Sequence, residues 1–163
     1  MDSGKVSSSF STRLENEMKK SIGLKAQNIR FYPIENYFFS ENLSDYNGKT
    51  VILQFGRTTC SGCKMQMPEL NKIQEKYSSK NVQVLFLFSD SKVVLKNYFE
   101  NKKSSGKISV LEEKKLERPF QDVAQPTTFI IDKDGVIRDC WVTPEKFDSI
   151  EKRLQLYFVS FKL

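Results

Sequence analysis

With 163 residues, 39% hydrophobic and 28% charged, the chain has the length and composition of one globular domain with a single sizeable core. Its net charge of +6 comes from lysines scattered along the chain, which fits solubility better than nucleic-acid binding, and phosphate-loop and Gly-rich dinucleotide patterns are absent. The lack of any histidine excludes Ser-His-Asp and Cys-His catalysis and His-ligated metals, and three cysteines cannot fill a Cys-only zinc site or staple a scaffold of this length, so no metal or other cofactor is expected.

Residues 1–10 are polar and read as a disordered lead, with one domain over 11–163. From Thr12 to about Ala26, Leu14, Met18 and Ile22 recur every four residues and predict an amphipathic helix. Ile29 to Ile34 alternates weakly and reads as a strand, with Pro33 placing it at a sheet edge. Leu43 to Lys49 is a turn punctuated by Asn47-Gly48, and Val51 to Phe55 is a central strand buried on both faces. A helix with Leu70, Ile73 and Tyr77 on one face follows from about Lys64, and Pro68 should kink it.

Val82 to Phe88 is a second buried strand. Asp90 or Ser91 can cap a helix carrying Val94, Leu95, Tyr98 and Phe99. A polar loop from Lys102 to Lys107 leads to a short strand, Ile108 to Leu111, and then to a helical turn with Leu116 and Phe120. Thr127 to Ile131 is a strand, and Asp134-Gly135 turns the chain into its partner, Val136 to Val142. Thr143 should cap and Pro144 open a last helix with Phe147, Ile150, Leu154, Tyr157 or Phe158, and Phe161 on its apolar face. Strands alternating with helices and ending in a hairpin predict an α/β fold, a mixed sheet covered on both faces. No run approaches the ~18 apolar residues of a membrane span.

Cys60-Ser61-Gly62-Cys63 lies between the central strand and the helix that follows it. Two cysteines three positions apart can close a short disulfide on the first turn of a helix. There the first cysteine meets unpaired N–H groups and the positive end of the helix dipole, which favour its thiolate, the nucleophile of disulfide exchange.

Three blocks resemble the thioredoxin fold, and within it the TlpA/ResA-like thiol–disulfide oxidoreductases. They are Leu43-Ser44-Asp45-Tyr46-Asn47-Gly48-Lys49 with the strand to Phe55, Cys60 to Leu70 including Pro68, and Gln125-Pro126-Thr127-Thr128-Phe129-Ile130-Ile131-Asp132 with the Asp134-Gly135 turn. The resemblance runs from Leu43 to the C-terminus and implies a three-layer α/β/α sandwich, here with an extra N-terminal helical segment. It implies Cys60 as nucleophile and Cys63 as resolving thiol. It also implies a cis bond before Pro126, leaving the Gln125 backbone to pair with an extended substrate segment. An ordinary trans turn proline is the plain alternative at Pro126, and two buried unreactive thiols the plain alternative at the motif.

The departures from that family are specific. Gly56 and Thr59 stand where it usually has tryptophans. Gln54 stands where thioredoxin keeps a buried aspartate, and Gln66 where TlpA-like reductases often have a glutamate. Either acid would relay protons for the second cysteine, so with two glutamines the relay must use water or Lys64, or be slow. Lys64 either favours the thiolates electrostatically or is simply solvated. Cys140 reads as a small buried side chain, with a regulatory or intermolecular thiol as the alternative.

The function expected is reduction of disulfides in extracytoplasmic proteins through the Cys60/Cys63 dithiol, recharged by a membrane thiol electron donor. The competing function is a binding module that keeps the fold around a structural or weakly active disulfide. The residues before Ser9 show no apolar leader, so an exported or membrane-anchored protein would have its leader outside this chain; the resemblance favours that over a cytoplasmic one. Peroxide reduction on this fold needs P-x-x-x-T-x-x-C. Counting from Cys60, that motif finds Arg57 for the threonine and Leu53 for the proline; from Cys63 it finds Cys60 and Gly56. A Sco-like copper site would need a histidine.

Overall fold

The computed structural model describes residues 3–113, 115–121 and 123–159, with the side chains of 3–8, 158 and 159 left aside. Helix α1 covers Ser3–Lys19, followed by strands β1 (Arg30–Pro33) and β2 (Glu41–Asn42) and a 3-10 turn, Leu43–Tyr46. Strand β3 (Thr50–Gly56) leads into α2 (Ser61–Tyr77), β4 (Val82–Phe88) into α3 (Lys92–Phe99), and β5 (Lys107–Leu111) into a long irregular segment. The hairpin β6 (Thr127–Ile131) and β7 (Ile137–Trp141) and helix α4 (Phe147–Val159) complete it.

One seven-stranded sheet runs in the order β2-β1-β5-β4-β3-β6-β7. Strands β3, β4 and β5 are parallel, while β6, β7, β1 and β2 join antiparallel. The step from β3 to β4 and from β4 to β5 goes the same way along the sheet. Right-handed crossovers therefore put α2 and α3 on one face. Leu70, Ile73, Leu95, Ile150 and Leu154 from α2, α3 and α4 bury that face with Ile52, Phe86 and Ile130. Met18 of α1, Leu43 and Tyr46 of the 3-10 turn, and Phe120 cover the other, over Leu53, Phe55, Leu87 and Phe129. This is the thioredoxin-like three-layer α/β arrangement, with a mixed sheet between its helices.

Several boundaries differ from the sequence reading. The first helix starts at Ser3, inside the segment read as a disordered lead, and ends at Lys19, well short of Ala26. The chain turns after Lys19 because Gly23 takes φ 91° and its N–H donates to the Ile137 carbonyl, tying the segment to β7. Strand β1 is not at the edge, since β2 lies outside it. Yet β2 pairs only with Arg30 and Phe31, so Pro33 pairs with Ser109 of β5 on one side and has no strand on its outer side.

The helical turn expected around Phe120 is a non-helical turn with a cis Arg118–Pro119 bond, and Phe120 is fully buried there. Helix α4 starts at Phe147 rather than after Thr143. Side chains of α2 take up the backbone groups of the intervening segment and keep it out of the helix. Gln66 bonds both the N–H and the C=O of Glu145, and Glu69 accepts from the Phe147 N–H. Ile150 and Leu154 are buried as expected, whereas Phe158 and Phe161 lie outside the residues whose side chains are described.

Candidate active site

The site is built at the carboxyl ends of the parallel strands, where β3 hands over to α2. The chain between them is anchored to the neighbouring β4–α3 loop. The Ser89 N–H donates to the Gly56 carbonyl at 3.2 Å, and Arg57 Nε donates to Ser89 Oγ at 2.8 Å. The N–H and hydroxyl of Thr58 donate to the two Asp90 carboxylate oxygens at 2.9 and 2.7 Å. Ser91, not Asp90, caps α3, so Asp90 is left to hold the loop that presents the cysteines. Sequence reasoning missed this role, because Thr58 and Asp90 are 32 positions apart and nothing local marks them as partners.

Cys60 occupies the N-cap of α2 in extended backbone, φ −84° and ψ 112°, and its Sγ accepts from the Cys63 N–H at 3.1 Å. The two cysteines form a disulfide with their Cα atoms 5.3 Å apart. Cys60 is half-buried and Cys63 only 1% exposed, so an incoming sulfur meets Cys60 first. When the bond opens, the Cys63 N–H and the helix dipole are already aimed at Cys60 Sγ, which stabilises negative charge there.

Pro126 lies against the turn between the cysteines. A Cβ on Gly62 would stand 2.9 Å from Pro126 Cδ, so only glycine allows this approach. The Gln125–Pro126 bond is cis. Gln125 is half-buried, and neither its N–H nor its C=O bonds another group among the described residues.

The two glutamines are placed differently from one another. Gln54 lies within β3, 1% exposed, with both polar atoms of its side chain unpartnered. Gln66 is fully buried on α2, but its amide is engaged. Its Oε1 accepts from Trp141 Nε1 at 3.1 Å and from the Glu145 N–H at 2.8 Å, while Nε2 donates to the Glu145 carbonyl at 3.0 Å. It joins α2 to β7 and to the start of α4.

Lys64 is exposed, with Nζ 5.6 Å from the centre of the Tyr98 ring on α3. Pro68 sits exposed inside α2, where its missing N–H leaves the Lys64 carbonyl without its usual helical donor. Cys140 is unpaired and fully buried on the opposite face of the sheet, and burial followed by the Asp139 charge pushes its thiol up to about 11. No cluster of His, Cys, Asp and Glu among the described residues could hold a metal ion, and no described helix is long and apolar enough to cross a membrane.

The AhpC/TSA family model covers residues 23–140. The chain belongs to that family. Its curated relatives include the thiol-disulfide oxidoreductase ResA of Bacillus thuringiensis, 30% identical over 122 residues that make up 74% of this chain and 69% of that protein. The thioredoxin-like protein YneN of Bacillus subtilis is 29% identical over 117 residues, 71% of this chain and 69% of that protein. Among solved structures, a thiol:disulfide interchange protein DsbE from Chlorobium tepidum superposes with a TM-score of 0.73 at 22% identity. That alignment covers 83% of this chain and 96% of that one. An exposed lipoprotein thioredoxin of Streptococcus pneumoniae gives 0.68 at 24% identity, over 78% and 98%.

Within this ResA-like branch of the AhpC/TSA family the Cys-x-x-Cys pair and the Gln125-Pro126 loop both fall inside the matched stretch, while α1 and α4 lie outside it. At the position where a peroxidatic motif would need threonine, Arg57 is instead bonded to Ser89.

Proposed function

We propose that this thiol–disulfide oxidoreductase works as a reductase of disulfides in extracytoplasmic proteins. The observation that carries the reading is the Cys60–Cys63 disulfide at the N-terminus of α2, with the half-buried Cys60 receiving the Cys63 N–H.

In the reduced enzyme the Cys60 thiolate attacks one sulfur of a substrate disulfide. The other substrate sulfur leaves as a thiolate and takes up a proton. Cys63 then loses its proton and attacks Cys60 Sγ, the Cys60–substrate bond breaks, and the second substrate thiol departs. Two electrons have passed from the dithiol to the substrate. The unpaired Gln125 backbone beside Pro126 offers hydrogen bonds to an extended substrate segment, which would orient the target sulfur over Cys60. A membrane thiol donor closes the cycle by reducing Cys60–Cys63. ResA relatives and a lipoprotein thioredoxin among the fold neighbours support an extracytoplasmic setting.

The test is reduction of a protein disulfide by the chemically reduced chain, followed by thiol release. Wild type should release substrate thiols stoichiometrically, and Cys60→Ser should release none. A wild type inert toward several protein disulfides would instead support a binding module around a structural disulfide.

A further inference from the structure

Two buried side chains on the α2 face of the sheet stand without hydrogen-bond partners. Gln54 is 1% exposed and neither Nε2 nor Oε1 is bonded; Thr128 is equally buried and its hydroxyl is unbonded. The two are directly opposite across the β3–β6 ladder, so their side chains rise from the same face. That face lies under α2, because Ile52 and Ile130, two positions from each, pack into the core shared with Leu70 and Ile73.

Gly56, on the same face, brings Gln54 and the resolving cysteine together. The point where a Gly56 side chain would begin is 3.1 Å from Cys63 Sγ and 3.5 Å from Gln54 Nε2. Any larger residue would occupy the space between amide and sulfur. A buried amide with nothing to bond is less stable than an apolar side chain of the same size. Its place beside Cys63 Sγ offers a state in which it is satisfied.

We infer that Gln54 is the hydrogen-bond donor to the Cys63 thiolate that forms when the disulfide opens. The inference rests on the redox reading of the Cys60–Cys63 pair. Cys63 gives its proton to water, the Gln54 Nε2–H bonds the anionic sulfur, and the sulfur then attacks Cys60 Sγ and displaces the substrate thiolate, which takes a proton. Gln54 neither gains nor loses one. Thr128 is placed by register to donate to Gln54 Oε1, turning Nε2 toward the sulfur.

No described acid on the elements packed here competes for that role. Asp132, the one buried carboxylate among the described residues, pairs with Arg138 beyond the far end of β6. Asp90 holds Thr58, Glu69 accepts from the Phe147 N–H, and the Glu145 carboxylate bonds Ser149 and Arg153. Of the nearby cations, Lys64 is exposed against Tyr98, and Arg57 is bonded to Ser89. Because Gln54 is satisfied only once the reduced Cys63 ionises, it shifts the equilibrium toward the dithiol as pH rises through the Cys63 titration.

The experiment equilibrates the whole chain with a glutathione redox buffer at pH 10, where the Cys63 thiolate is populated, traps it with an alkylating agent, and measures the oxidised fraction for wild type, Gln54→Leu, Gln54→Met and Thr128→Val. Single-turnover resolution of a mixed disulfide from pH 6 to 10 supplies the second readout. Gln54→Leu and Gln54→Met should each move the equilibrium about tenfold toward the disulfide, or ~30 mV for this two-electron couple. They should also displace the pH profile of resolution upward by about one unit, which a merely structural role would not do. Thr128→Val should give a smaller change of the same sign. Should the leucine variant fail to fold, the flexible methionine still decides. A wild type that exchanges with glutathione while both Gln54 variants match it overturns the inference alone. A wild type that does not exchange overturns the redox reading of the site, and the inference with it.

Discussion

The indole N–H of Trp141 donates to Oε1 of Gln66 at 3.1 Å, joining β7 to the active-site helix through two fully buried side chains. With the two bonds between Gln66 and the Glu145 backbone, this contact fixes where α4 begins. Gln66→Leu would leave the Trp141 and Glu145 N–H groups and the Glu145 carbonyl without their partner. Each such buried group costs about 1–3 kcal/mol. Urea unfolding of the oxidised protein should show a loss of at least that size. A variant as stable as wild type would show that the clasp contributes nothing.

Asp90 holds the loop before Cys60 through two hydrogen bonds from Thr58, both to a carboxylate. Such charge-assisted bonds contribute about 1.5–3 kcal/mol each. Asp90→Ala should therefore loosen the approach to Cys60 and slow attack on a substrate disulfide by about tenfold or more. The unreactive partner of the comparison is Ser91→Ala, which removes only the α3 cap. Equal second-order rates for the two variants would contradict the role given to Asp90.

Gly62 has no room for a side chain. A methyl group there would stand 2.9 Å from Pro126 Cδ and force the proline loop away from the cysteine turn. Gly62→Ala is predicted to weaken substrate binding and lower kcat/KM. Steady-state kinetics on a protein disulfide would show this, and an unchanged KM would argue that substrate does not use the Gln125-Pro126 loop.

Cys140 should behave as an inert core thiol. Burial, then the neighbouring Asp139, raises it from an ordinary 9.0 to about 11. The folded chain keeps this proton while the unfolded chain gives it up. The associated stability is thus present below about 9 and is lost as pH rises toward 11. Raised tyrosines, including Tyr37, Tyr77 and Tyr157, fall away in the same alkaline direction, so the decisive quantity is the difference between wild type and Cys140→Ala. That difference should narrow between pH 9 and 11, and iodoacetamide at pH 8 should label Cys140 only in denaturant. Rapid native labelling of Cys140 would contradict its burial.

The strands that carry the site were legible in the sequence because each is a run of apolar residues in the middle of the sheet. Val82 to Phe88 was read with its observed bounds, and Val51 to Phe55 lacked one residue at each end. The cysteine motif was legible for a similar reason, since strand, turn and helix succeed each other without interruption. What escaped was set by contacts between distant parts of the chain. Thr143-Pro144 looks like a helix start, yet Gln66 and Glu69 take the backbone groups of the next residues and delay α4 to Phe147. Gln54 and Gln66 look alike as interruptions of apolar faces, and only the fold separates an unpartnered amide beneath Cys63 from one fully bonded to Trp141 and Glu145. Strand β2 is two residues long and exists only because β1 lies beside it.

Trapping the reaction half-way separates the roles of the two cysteines. Cys63→Ser, reduced and mixed with a protein disulfide, should stop at a mixed disulfide, which intact-mass and peptide mapping would place on Cys60. Cys60→Ser under the same conditions should form little or none, because Cys63 is buried. Accumulation on Cys63 in the Cys60→Ser variant, at a rate similar to that of Cys60 in the Cys63→Ser variant, would contradict the assignment of nucleophile and resolving thiol.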